Sequence, residues 1–267
     1  MQFGKIFDDT RGPSPVWRES AEDRWKHLEG SIFGDYQLTT EEASGLLIAP
    51  VDPPAIYCIG LNYRDHAAET GQPLPEFPIV FMKAPTSVIG PQSPIELPPV
   101  ETTETVDFEV ELVAVIGERC RDVSRSDALS KVLGYTIAND VSARNWQSSR
   151  GGGQFCRAKS FDTFCPVGPW IVTGDAISDP HHLELSTRVN GDLMQNSNTR
   201  EMVFNLPELI EFLSISTTLE PGTIILTGTP SGVGVARKPP RYLRDGDLVS
   251  LEIEGIGVLE NPVRTGR

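Results

Sequence analysis

The chain has 267 residues and carries 23 basic against 37 acidic side chains, a net charge of −14 at neutral pH. A chain this acidic is repelled by nucleic acid and by anionic membrane surfaces, and no segment reaches the roughly 18 apolar residues that a membrane span requires. The N-terminus lacks a basic-then-apolar leader, and Cys58, Cys120, Cys156 and Cys165 lie in or beside apolar runs without C-x-x-C spacing, so a cytoplasmic protein with buried free thiols is expected.

Residues 1–50 differ in texture from the rest, being charged and aromatic from Trp17 to Gly34, and Ala49-Pro-Val-Asp-Pro-Pro54 reads as a linker. The length allows one large core with a small appendage: an N-terminal region over 1–50 and a catalytic domain over 51–267. Ile56-Tyr-Cys-Ile-Gly60 is a short apolar strand leading into Leu61-Asn-Tyr-Arg-Asp-His66-Ala-Ala-Glu69-Thr-Gly71, a helical stretch closed by a glycine. On a helix His66 and Glu69 are neighbours. A carboxylate beside an imidazole raises its basicity and fixes its orientation, as a general base requires; an ordinary surface pair is the alternative. The proline-rich flank Gly71-Gln-Pro-Leu-Pro-Glu-Phe-Pro78 suggests a lid tethered by loops.

Strands are expected at 79–83 and 108–116. In Thr105-Val-Asp-Phe-Glu-Val-Glu-Leu-Val-Ala-Val-Ile116 an alternating pattern becomes continuously apolar. Residues two apart in a strand share a face, so Asp107, Glu109 and Glu111 line one side. Two carboxylates that close repel each other unless water screens them or a cation lies between them. A helix is expected from Ser126 to Leu133, then a strand at 134–139 that ends on Asn139-Asp140, where a third carboxylate can converge on the first two. Asn139 and Asp140 could equally cap a turn. Three carboxylates without cysteine or histidine form a hard oxygen set suited to Mg²⁺, Mn²⁺ or Ca²⁺.

Further strands are expected at 169–173, 183–189, 223–227 and 248–254, and Asn190-Gly191 marks a hairpin between 184–189 and 192–195. His181 and His182 sit in a turn and should be exposed. Asn205 should cap a helix over Leu206–Leu213, with Pro207 in its first turn. Thr227-Gly-Thr-Pro-Ser-Gly-Val-Gly234 lacks the lysine of a P-loop and the spacing of a dinucleotide fingerprint, yet its amides could cradle a small carboxylate. The pattern is one α+β domain dominated by mixed sheet, without internal repeats.

Five motifs occur in order: Gly60-Leu-Asn-Tyr-Arg-Asp-His66, Glu109-Val-Glu111, Asn139-Asp-Val-Ser-Ala-Arg144, Ala158-Lys-Ser-Phe-Asp-Thr-Phe-Cys-Pro166 and Leu226-Thr-Gly-Thr-Pro-Ser-Gly-Val-Gly234. Over residues 50 to 263 the chain resembles the fumarylacetoacetate hydrolase superfamily, especially its domain-containing protein 2 type and bacterial 2,4-diketo acid hydrolases. The resemblance implies a β-rich roll, a homodimer, and a divalent metal, Mg²⁺ or Mn²⁺, on Glu109, Glu111 and Asp140. It also implies a lid carrying His66 and Glu69 as the base that activates water, Lys159 as a catalytic contact to substrate, and Thr229 at the substrate carboxylate. Arg144 and Gln147 are the remaining candidates for substrate binding. Acylpyruvase-like relatives often carry arginine where Leu61 stands, and the common Ala-Arg-Asp-x-Gln reads Ala143-Arg-Asn-Trp-Gln147 here.

A 2-oxo acid can chelate a metal through its carboxylate and keto oxygens, and a metal can stabilise the enolate left when the C3–C4 bond of a 2,4-dioxo acid breaks. The expected function is therefore metal-dependent C–C bond hydrolysis of an acylpyruvate-like small molecule. Oxaloacetate decarboxylation or keto–enol tautomerisation would use the same enolate. A metal-binding regulatory protein without turnover is the alternative of another class, and a base on a lid argues against it.

Overall fold

The computed structural model describes residues 1–148 and 150–266. Its fold is α+β. A twelve-stranded mixed sheet runs, through its main path, in the order Tyr36–Glu42, Lys26–Gly30, Gly12–Arg18, Gln2–Asp8, Cys165–Thr173, Val132–Asn139, Val110–Ile116, Ile224–Leu226, Ile56–Gly60, Ile79–Met82. A five-stranded sheet runs Asp192–Asn198, Glu184–Val189, Leu248–Ile253, Gly257–Thr265, Ile95–Leu97. Most pairs are antiparallel, and Ile224–Leu226 lies parallel to Ile56–Gly60.

Val110–Ile116 explains why its sequence turns continuously apolar. Val110, Leu112 and Ala114 enter one core cluster with Leu251 and Leu259 of the smaller sheet, while Val113 and Val115 enter another with Phe3, Trp17 and Cys58. A strand buried on both faces has no polar side. Glu111 stands on the face of Val113 and Val115. The first fifty residues add strands to the large sheet through Gln2–Asp8, which pairs with Cys165–Thr173.

Helix Leu206–Ser214 starts as expected. Asn205 accepts from the Glu208 amide at 3.1 Å, the Glu208 carboxylate accepts from the Asn205 amide at 2.8 Å, and a proline stands in the first turn, a reciprocal cap. The expected helix at Ser126–Leu133 is only a 3₁₀ turn, Ala128–Lys131, because Val132 already pairs with Ile116 and Lys131 accepts from the Gly117 amide. Ladder pairing by a β-branched residue overrides the weak helical pattern. The strand expected from 108 starts at Val110, since the amide of Glu109 is taken by the side chain of Asn139 at 3.0 Å.

Two readings of exposure are corrected. Cys156 is exposed whereas the other three cysteines are buried, because it lies on the short helix Phe155–Ala158 at the cavity rim. His182 is exposed as expected, but the His181 ring is only 24% exposed and its Nε2 accepts from the Leu206 amide at 3.1 Å, so it helps to satisfy the start of a helix. Among the described residues no helix is long and apolar enough to cross a membrane.

Candidate active site

Strand ends bring the carboxylates together. Glu109 and Glu111 stand where Val110–Ile116 begins, and Asp140 follows the neighbouring strand at Asn139; the Asp140 amide donates to the Glu109 carbonyl at 2.9 Å. One oxygen from each of the three lies within 4.8 Å of the others, and all three residues are buried. Screening by bulk water is therefore weak at these groups. Burial pushes Glu111 well above the usual carboxylate range, and Asp140 and Glu109 reinforce that shift. Burial also acts to raise Glu109, but Lys159 and Arg144 outweigh it and hold that carboxyl at about 2.

Asp107 shares the sequence pattern and not the site. Its buried carboxylate accepts from the amides of Phe108, Gly234 and Val235 and from Arg144 Nε. Arg144 thus spans two acids: Nε lies 2.8 Å from Asp107 and Nη2 lies 2.7 Å from Glu109, the latter without hydrogen-bond alignment, while Nη1 donates to Gln147 at 2.9 Å. Burial opposes its charge, but Glu109 and Asp107 keep its pKa raised. The guanidinium is chiefly bonded to protein, and Gln147 is its partner.

Lys159 is buried, its ammonium 2.7 Å from Glu109 and 2.5 Å from Asp140. Burial disfavours that charge, yet the carboxylates of Asp140 and Glu109 raise its pKa. Lys83, which sequence reasoning missed, sits 2.6 Å from the other oxygen of Asp140 with a fully buried side chain. The available signal was a lysine closing the apolar run Ile79-Val-Phe-Met-Lys83 before Ala-Pro. Gln195 was also missed: it donates to Thr229 at 2.8 Å and accepts from the Val110 amide at 3.0 Å, and nothing in its strand sets it apart from its neighbours.

The glycine loop holds the protein's own acids rather than presenting free amides. Gly228 donates to Glu111 at 2.7 Å, Gly232 to Glu69 at 3.0 Å and Gly234 to Asp107 at 2.8 Å. Gly228 has φ +97°, and a Cβ there would lie 2.8 Å from the Asn62 side chain. Gly232 has φ +99°, and a Cβ would meet the Met194 carbonyl at 2.2 Å. Any larger residue would therefore disturb both the backbone and the carboxylates it holds.

Helix Arg64–Thr70 ends on left-handed Gly71 as its sequence predicts, and carries His66 and Glu69. The two are 3.5 Å apart and His66 Nδ1 has no hydrogen-bond partner, because Glu69 is engaged by Gly232. His66, Glu109, Glu111, Asp140, Lys159 and Thr229 all line one cavity of about 520 Å³, along with Arg144 and Gln147; Glu69 alone among the candidates is not on its wall. Ile59, Ile79, Phe81 and Phe155 form an apolar wall. The donor chemistry fits a hard divalent cation: buried oxygens, one with a strongly raised proton affinity, and no thiol or imidazole in the triad.

Comparison with known proteins identifies the family. The family described as fumarylacetoacetate (FAA) hydrolase C-terminal matches residues 55–264. Oxaloacetate tautomerase FAHD2B, mitochondrial, of Bos taurus is 52% identical over 217 residues, covering 81% of this chain and 68% of that one. Oxaloacetate tautomerase fahd2, mitochondrial, of Xenopus laevis is 51% identical over 218 residues with the same coverage. The crystal structure of 2-hydroxyhepta-2,4-diene-1,7-dioate isomerase from Mycobacterium marinum superposes with a TM-score of 0.85 at 40% identity, covering 99% of this chain and 98% of that one. With the matched segment containing every carboxylate, lysine and glycine of the site, the chain belongs to the fumarylacetoacetate hydrolase family.

Proposed function

We propose that this enzyme interconverts the keto and enol forms of oxaloacetate or a similar 2-oxo dicarboxylic acid, with Mg²⁺ or Mn²⁺ held by Glu109, Glu111 and Asp140. The observation that carries the reading is the buried oxygen triad sharing one cavity with an imidazole that has an unpaired nitrogen. Relatives named oxaloacetate tautomerases at 51 and 52% identity support tautomerisation over the C–C hydrolysis expected from sequence. The ion, when bound, would supply Lewis-acid polarisation of the 2-oxo group.

The residues then divide the work. His66 takes a proton from C3 of the keto form and, as the imidazolium, returns it to the C2 oxygen to complete the enol, which leaves the imidazole neutral again; the reverse transfers restore the ketone. No water need be deprotonated, which suits an imidazole that Glu69 does not hydrogen-bond. Thr229, whose oxygen accepts from Gln195, keeps its own proton free to donate to a substrate carboxylate. Lys159 contributes positive charge beside the developing enolate.

Acylpyruvate hydrolysis is the second reading, favoured by the apolar wall and by a cavity larger than oxaloacetate needs. The experiment is to follow the enol absorbance of oxaloacetate and, by NMR, the products from oxaloacetate and from acetylpyruvate, each with Mg²⁺ and with a chelator. Accelerated keto–enol exchange without products is the expected result. Acetate and pyruvate from acetylpyruvate would establish the hydrolase, and pyruvate formed from oxaloacetate above the uncatalysed rate a decarboxylase. No effect on either compound would refute the reading.

A further inference from the structure

Two buried ammonium groups reach Asp140, and they are held differently. Lys83 contacts Oδ1 at 2.6 Å and also donates to the Val141 carbonyl at 3.4 Å, with no side-chain exposure. Lys159 bridges Asp140 Oδ2 at 2.5 Å and Glu109 Oε2 at 2.7 Å, and has no third acceptor among the described residues. Among the described residues its hydrogen bonds go only to two members of the triad, whose ligand oxygens lie within 4.8 Å of one another. Lys83 touches neither Glu109 nor Glu111.

The charges leave that position contested. Four buried carboxylates, Asp107, Glu109, Glu111 and Asp140, face three cations, Lys83, Arg144 and Lys159. Counted with all four acids ionised, the cluster has one negative charge in excess, and Glu111 has a backbone amide, not a cation, against its Oε2. A divalent ion would leave the cluster one positive charge in excess, suited to an anionic substrate.

We infer that Lys159 is an exchangeable cation: without metal its ammonium fills the place between Glu109 and Asp140, and a divalent ion displaces it into the cavity, where it becomes a donor to substrate oxygen. The inference rests on the metal site of the proposed function. Each of these oxygens keeps a second lone pair, but an ion on them would lie within a few ångströms of the ammonium, and repulsion between the two positive charges drives the ammonium out. The four-carbon stem of lysine permits the move, the residue lines the cavity, and the Phe81 ring, whose centroid is already 5.2 Å from Nζ in the bridging position, offers the cation a face beside its path. Lys83 stays on Asp140. Metal loading thereby arms the substrate site, and substrate in turn favours metal retention.

The test is Mg²⁺ titration by calorimetry of the wild type, Lys159→Met and Lys83→Met without substrate, with metal-free melting temperatures and a Mg²⁺-loaded crystal structure of the wild type. Lys159→Met should bind Mg²⁺ about tenfold or more tighter, since the ion no longer breaks two charge-assisted bonds, and should melt lower without metal. Its gain should exceed that of Lys83→Met, which removes equal charge without freeing the bridge. In the loaded crystal Lys159 Nζ should lie beyond hydrogen-bond distance of Glu109 and Asp140, with Lys83 unmoved; this reading holds even if a variant fails to fold. Equal gains in the two variants, or Lys159 still bridging both oxygens beside bound Mg²⁺, would overturn the exchange and leave the metal site standing. No Mg²⁺ binding by the wild type would overturn both.

Discussion

Replacing Asp107 by alanine should destabilise the protein although the residue lies outside the carboxylate triad. The carboxylate is wholly buried and accepts from the amides of Phe108, Gly234 and Val235 at 2.9, 2.8 and 3.0 Å and from Arg144 Nε at 2.8 Å. Alanine orphans three amides and removes one of the two acids that compensate Arg144. Breaking one partner of a buried ion pair costs about 3–5 kcal/mol. Arg144 keeps Glu109, and cavity water can reach some of the freed amides, so about 4 kcal/mol is expected, or roughly 8–16 °C in melting temperature at this size. Asp107→Asn should lose about half as much, because its carbonyl still accepts from the loop while its amide confronts the guanidinium. Urea unfolding followed by circular dichroism, with an unchanged slope, measures both. A loss below about 1 kcal/mol in the alanine variant would refute the idea that this acid locks the glycine loop to Arg144.

His66→Gln should lower the tautomerisation rate by about 10²–10⁴ while leaving Mg²⁺ affinity unchanged in calorimetry; Glu69→Gln, which still accepts from Gly232, should cost at most about tenfold. Equal losses in steady-state assays would mean that the two act as a dyad. Glu111→Gln removes a carboxyl whose ionisation burial, Asp140 and Glu109 all disfavour, so the metal-free variant should gain about 1–2 kcal/mol, roughly 2–8 °C, and lose its Mg²⁺-induced stabilisation in thermal scans. Asp247 is raised by burial but held below its ordinary pKa by Arg241, the Arg244 amide and Asn190. A depressed carboxyl stabilises above its unfolded pKa and loses that contribution as pH falls through the folded value. Stability of the wild type should therefore decline below about pH 4 more steeply than that of Asp247→Asn, as unfolding titrations at several pH values will show.

The triad was legible because its sequence spacing survives folding: residues two apart at a strand start keep a common side, and Asp140 directly follows the paired strand. The Asn205 cap, the Asn190-Gly191 turn and the Gly71 helix stop were legible because each depends on bonds within a few residues. Motif order carried the family assignment. Asp107 shows where spacing fails: its strand breaks at Phe108, and a loop more than a hundred residues away claims the carboxylate. The same loop takes Glu69 from His66, so a helix neighbour became a loop anchor. Lys83 looked like an ordinary strand end until Asp140 was placed against it. What the sequence determined by itself was the supply of closely spaced carboxylates, an imidazole and glycines. Which acid faces which cation was decided by the tertiary structure alone, because a buried charge is stabilised by whichever partner the packing of distant strands and loops brings within a few ångströms.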